Sequence, residues 1–173
     1  MIHSLDGDLL LSKAELLAHG VAPNVDFKHG LALALREKFP AMYKDFRHFC
    51  RQSSPKCGSV WLWQGVDQDG KPVKIAALFT QEPAAHDGGR PGRATTEHVN
   101  HALHELKKRI EKEHIASVAL PMLATGVGGL EWRHVEPIVQ TQLAGVNATI
   151  CVYTKYTANK AANEPLKAAN ATR

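Results

Sequence analysis

Cysteine is scarce in this 173-residue chain, long hydrophobic runs are missing, and aromatic residues make up only 6%. The three cysteines, Cys50, Cys57 and Cys151, are odd in number and form no CxxC pair. That excludes a disulfide scaffold and a zinc knuckle, and it points to a reducing, cytoplasmic setting. The longest aliphatic stretches, Leu9 to Leu11 and Leu31 to Leu35, fall far short of the roughly 18–20 residues that cross a bilayer. No basic segment followed by an apolar one opens the chain, so no secretion signal is expected. With 44% hydrophobic and 22% charged residues, disorder throughout is also excluded. The net charge of +4 invites a nucleic-acid reading, but Lys155, Lys160, Lys167 and Arg173 face only Glu164 beyond Thr154. Most of the excess therefore sits in the last stretch of chain, and basicity does not define the partner.

What is present is an alternation of strand-length apolar runs with longer runs of helical period, the pattern of an α/β sheet covered by helices. Strands are expected at Ile2 to Leu5, Leu16 to Val21, Ser59 to Gln64, Val73 to Thr80, Ser117 to Pro121 and Ala148 to Tyr153. The third and fourth are joined through Asp69-Gly70, a hairpin signal. Helices fit Gly30 to Phe39, Met42 to Gln52, the segment after a Thr95 or Thr96 cap, and Trp132 to Leu143. In the third helix Val99, Ala102, Leu103, Leu106 and Ile110 face inward. The stretch from residue 155 to 173 is rich in Ala, Asn, Thr and Lys without an apolar face, and reads as a flexible polar and basic tail after a single domain over residues 1–154.

Three segments look chemical. Ala124-Thr125-Gly126-Val127-Gly128-Gly129 follows a short apolar strand and runs into Leu130 and a helix. Three glycines in four positions let backbone N–H groups converge on an anion beside a helix N-terminus, which predicts a phosphate cradle; a plain glycine turn is the alternative. Gly7-Asp8-Leu9 places a carboxylate at a strand end, where it can accept from an exocyclic amine such as adenine N6; a helix cap is the alternative. Asn24 to Gly30 is a polar loop between strand and helix, where a ligand of an α/β sheet would lie. Asp26, His29, His86 and Asp87 fall on loops at the same end of the sheet and are candidate acid–base groups. His98, His101 and His104 follow an i, i+3, i+6 series that reads as exposed helix histidines, Cys50 and Cys57 read as incidental, and no metal site or cofactor is expected.

In order and spacing, Gly7-Asp8-Leu9, Gly30-Leu31-Ala32, Leu78-Phe79-Thr80, Leu120 to Trp132 and Val152-Tyr153-Thr154 resemble a macro domain. The likeness is nearest to the branch with the terminal ADP-ribose protein glycohydrolase, the DNA ADP-ribosyl glycohydrolase antitoxins and the fungal ADP-ribose-1''-phosphate phosphatase. The resemblance implies a three-layer α/β/α fold around a mixed central sheet. It implies ADP-ribose, or ADP-ribosylated protein or nucleic acid, as the partner. Asp8 and Leu9 would meet adenine, Thr125 to Leu130 after Ala124 would wrap the diphosphate, and Tyr153 or Tyr156 would pack near the base. Asn24, Gly30, Leu31 and Ala32 would wall the distal ribose, bordered by Thr80 and Gln81. In that branch a lysine after the middle strand attacks the distal ribose and an aspartate in the phosphate loop assists. Gln81 and Gly128 stand at those positions, Ala22 replaces a first-loop asparagine, and Lys28 and His29 replace glycines. Hydrolysis at the distal ribose with Asp26, His29 or His86 as the acid–base group is one reading. A non-catalytic reader of ADP-ribose is the other.

Overall fold

A computed structural model describes residues 1–86 and 88–167. Six strands form one sheet: β1 (Ile2–Gly7), β2 (Leu16–Val21), β3 (Val60–Val66), β4 (Pro72–Phe79), β5 (Ser117–Pro121) and β6 (Thr149–Tyr156). Their order across the sheet is β1-β6-β5-β2-β4-β3. All neighbours run parallel except β3 and β4, the pair joined by the Asp-Gly hairpin. Four helices complete the fold: α1 (Gly30–Lys38), α2 (Pro40–Ser53), α3 (Thr96–Lys112) and α4 (Trp132–Leu143). One turn of 3-10 helix spans Leu9–Leu11.

Side-chain alternation along the strands divides the core into layers. Ala18 and Leu16 of β2, Leu78 of β4, Val118 and Leu120 of β5 and Val152 of β6 pack against α3 and α4. The five residues expected to face inward on α3 are all in this cluster. On the opposite face Ile75, Ala77 and Phe79 meet α1 and α2 through Leu35, Met42 and Phe46. This is a mixed sheet between two helical layers, the three-layer α/β/α arrangement.

The second layer is incomplete over the other half of that face. Ala119 of β5 and Cys151 and Tyr153 of β6 would be bare there, but Leu9, Ala162 and Leu166 cover them. Covering an apolar side chain is worth about 1.5–3 kcal/mol when complete, so this strip of sheet draws the C-terminal segment onto itself. Residues 157–167 therefore differ from the tail expected beyond residue 154: Lys155 and Tyr156 lie inside β6, and the chain after them holds to β1 and to the 3-10 turn. Thr157 N–H donates to the Gly7 carbonyl, Glu164 accepts from the Ser12 hydroxyl and the Lys13 N–H, and Asp6 accepts from the Thr157 hydroxyl and Lys160. These last two hydrogen bonds hold the Asp6 carboxyl below its ordinary range. Among the described residues no helix is long and apolar enough to cross a membrane.

Candidate functional site

Because β1, β2, β4, β5 and β6 are parallel, the loops after them leave from one edge of the sheet, and ligands of such sheets bind at the carboxyl ends of the strands. The loop after β5 passes through Ala124 at φ 62° and Gly129 at φ 77°. Leu130 N–H closes back onto the Ala124 carbonyl at 2.9 Å, Gly129 N–H onto Gly126 at 3.1 Å, and the Thr125 hydroxyl onto Met122 at 2.8 Å. Among the described residues nothing accepts from the N–H groups of Gly126, Val127 and Gly128. Val127 at the tip is 61% exposed. A side chain at Gly126 would enter open space, whereas a Cβ at Gly128 would lie 2.6 Å from the Ala124 oxygen and 2.9 Å from the Ala94 Cβ. Three consecutive backbone donors without an acceptor among the described residues, in a loop braced against Ala94, suit an anion cradle.

That bracing reaches the loop after β4. Ala94 N–H donates to the Gly128 carbonyl at 3.0 Å, and Ala94 pairs with Gln81 in an antiparallel bridge. Gln81 is buried, and its side-chain amide donates to the Gly92 carbonyl at 3.2 Å. It is a fastener for the neck of the loop over residues 82–93. Thr80 is fully buried, its hydroxyl without a partner among the described residues, and a Cβ at Gly20 would meet that oxygen at 2.8 Å. Thr80 therefore lies behind the site and shapes it through Gly20.

Between this loop and the loop after β2 lies a cavity of about 370 Å³. Asn24, Asp26 and Arg47 line one side, Pro83 to His86 with Gly88 and Gly89 the other. Asp26 and His86, two of the three expected acid–base residues, meet here. His29 does not line the cavity; it is exposed and occupies the N-cap position of α1 without a side-chain capping bond, because Phe27 turns the chain away. Phe27, at φ 51°, is buried against Tyr43, Phe46 and His19 and anchors the loop. Asn24 is fixed at both backbone ends, its N–H donating to Cys50 Sγ and its carbonyl accepting from Arg47. Asp26 pairs with Lys28 at 3.1 Å and offers its carbonyl to Arg36. Asp87 lies outside the described residues. Gly30, Leu31 and Ala32 open α1; Leu31 packs against both neighbouring clusters on this face.

At the far end of the edge Asp8 takes the capping role that is the alternative reading of its carboxylate. Its two oxygens accept from Leu10 N–H at 3.0 Å, capping the 3-10 turn, and from Asn159 N–H at 3.1 Å, while its own N–H donates to the Lys160 carbonyl at 2.7 Å. Two of the roughly four acceptor positions of a carboxylate remain for another donor. Leu9 and Tyr153 are buried beside it, and burial together with the neighbouring Glu164 pushes the Tyr153 phenol up; Tyr156 is 73% exposed. A buried imidazole not singled out by sequence reasoning, His19 on β2, is kept neutral by burial, which lowers its pKa from 6.5 to about 4.

Similarity to known proteins agrees with this geometry. A macro domain family model matches residues 18–139. The DNA ADP-ribosyl glycohydrolase of Thermus aquaticus is 27% identical over 143 residues, 83% of this chain and 38% of that protein. The chain thus spans about two-fifths of the length of the DNA ADP-ribosyl glycohydrolases it matches. The macrodomain of Thermus aquaticus DarG superposes with a TM-score of 0.75 at 25% identity, covering 89% of this chain and 98% of the other. Thermosipho africanus DarTG in complex with ADP-ribose shares the fold with a TM-score of 0.73 at 22% identity, over 89% and 41%.

Proposed function

The chain belongs to the macro domain family, and from that premise we propose that it binds ADP-ribose along the carboxyl edge of the sheet and hydrolyses a derivative modified at the distal ribose. The observation that supports the binding reading is that the N–H groups of Gly126, Val127 and Gly128 have no acceptor among the described residues, in a loop braced on Ala94. They take the diphosphate, with Ala124, Thr125, Gly129 and Leu130 completing the cradle. Asp8, Leu9 and Tyr153 take the adenine end, and the cavity between Asn24 and His86 takes the distal ribose. The DNA ADP-ribosyl glycohydrolases that the chain resembles support ADP-ribose as the ligand.

For the chemistry, Asp26 and His86 are the groups at the cavity. A water held there attacks the distal-ribose centre, forms the new bond to oxygen as the bond to the leaving group breaks, and passes its proton through the side chain to that leaving group. The cradle supplies orientation and charge stabilisation. A route that does not use the branch's covalent one is supported by Gln81 and Gly128, read as standing at the lysine and aspartate positions: the Gln81 amide donates to the Gly92 carbonyl, and a Cβ at Gly128 would crowd the Ala124 oxygen. The same two facts favour a second reading, a reader that binds ADP-ribose without turning it over.

Incubation with ADP-ribose-1''-phosphate, ADP-ribosylated protein and ADP-ribosylated DNA separates the two. The hydrolase reading expects turnover of at least one of them and its loss, by roughly 10²–10⁴, in Asp26→Asn or His86→Ala. Turnover that survives both substitutions contradicts the assignment, and binding without turnover of any of the three establishes the reader.

A further inference from the structure

A set of side chains outside the cleft remains unassigned by the ADP-ribose reading. Cys57 in the turn before β3, Glu82 just past the Gln81 bridge and His98 in the first turn of α3 come together from three separate elements. Among the described residues they are the one group of three or more His, Cys, Asp or Glu whose ligand atoms all lie within 4.8 Å of one another. His98 Nε2 is 2.6 Å from one Glu82 oxygen and Cys57 Sγ is 3.7 Å from the other. We propose that Cys57, Glu82 and His98 bind a divalent cation of the zinc class and that this ion fastens the neck of the loop bordering the cavity.

Each backbone position is set independently of the ion. Glu82 N–H donates to the Arg93 carbonyl and the Glu82 carbonyl accepts from Gly92, His98 N–H is capped by the Thr95 hydroxyl, and Gly58, next to Cys57, donates to Phe79. The three side chains therefore converge without a large ordering cost. A thiolate, an imidazole and a carboxylate suit zinc, with its tetrahedral preference and tolerance of sulfur, nitrogen and oxygen. Calcium and magnesium take oxygen ligands and are disfavoured by the same set. Three protein ligands leave a fourth position for water. On binding, Cys57 gives its proton to solvent and exchanges its hydrogen bond to the Gln81 carbonyl for a bond to the metal. Glu82 lies between Gln81 and Pro83, so the ion joins the cavity wall to α3.

Cobalt(II) titration of the chelator-treated full chain reads this directly. The expected result is one equivalent bound, with thiolate-to-cobalt charge-transfer absorption and the visible bands of a four-coordinate ion, displaced by zinc. Cys57→Ser abolishes the charge-transfer band, and His98→Ala weakens cobalt binding by at least about tenfold, with circular dichroism confirming that both variants fold. Zinc raises the Tm of the unmodified chain and leaves that of His98→Ala unchanged. The proposal is overturned by the absence of a thiolate band at submillimolar cobalt, by a band that persists in Cys57→Ser, or by a zinc-induced rise in Tm that His98→Ala retains.

Discussion

The two ends of the sheet edge are built on opposite plans. At the β1 end the C-terminal segment lies over Asp8 and engages part of its hydrogen-bonding capacity: Asn159 on the carboxylate, Lys160 on the Asp8 N–H, Ala162 and Leu166 on the apolar strip below. At the β4 end the loops stand apart around a cavity, and Asp26 and His86 border open space. Between them the glycine loop carries backbone donors without an acceptor among the described residues. On the proposed reading, the difference separates recognition from chemistry. A preorganised, well-packed end suits a constant part of a ligand, whereas a cavity between two long loops suits the part that varies or reacts.

The largest contrast is expected from deletion. Ending the chain at Thr157 uncovers Leu9, Cys151 and Tyr153 and removes Lys160 from Asp6, Asn159 and Lys160 from Asp8, and Glu164 from Ser12, so Tm should fall by roughly 5–10 °C in a thermal melt. Replacing residues 84–90 with a short Gly-Ser linker should change Tm by no more than about 2 °C, since none of the described residues in that span belongs to a core cluster. Equal losses from the two deletions would erase the distinction between the ends.

A smaller pair sharpens the comparison. Asp8→Ala removes the cap of the 3-10 turn and leaves the Asn159 N–H without its acceptor, a destabilisation of about 1–3 kcal/mol in denaturant unfolding. Asp26→Ala removes a pair with the exposed Lys28 and should cost about 0–1 kcal/mol. Acid affects the fold beneath both ends. Because His19 is neutral in the folded protein down to about 4, the unfolded chain takes up the proton first as pH falls from 6.5. That stability is complete above 6.5 and drains away towards pH 4, by up to about 3 kcal/mol. His19→Leu should flatten the decline, and an unchanged pH profile in that variant would place its cause elsewhere.

The architecture was legible because its signals are local. Strand-length runs of β-branched and aliphatic residues, the Asp69-Gly70 turn and the Thr95 cap each encode their element without help from distant chain, and β2, β5 and α4 lie within the spans read from the sequence. The glycine loop was legible for the same reason. What was hidden depends on contacts made across the chain. The Ala- and Asn-rich segment after Tyr156 has no apolar period, yet it docks because its partners are the backbone of Gly7 and Asp8 and a bare strip of sheet. His29 lies within the polar loop in sequence, but past the left-handed bend at Phe27 it does not line the cavity. Cys57, Glu82 and His98 are separated by 25 and 16 residues, so no spacing rule brings them together.

The central claim is that backbone donors of the loop after β5 bind the diphosphate of ADP-ribose, and isothermal calorimetry on the unmodified chain and on Gly126→Glu tests it most directly. The side chain at position 126 enters open space, so the variant should melt as the unmodified protein does. The account predicts one ADP-ribose bound by the unmodified chain and no measurable heat from Gly126→Glu, whose carboxylate would occupy the place of the anion. Affinity unchanged in the variant, or no binding by the unmodified chain at high micromolar ADP-ribose, would contradict it.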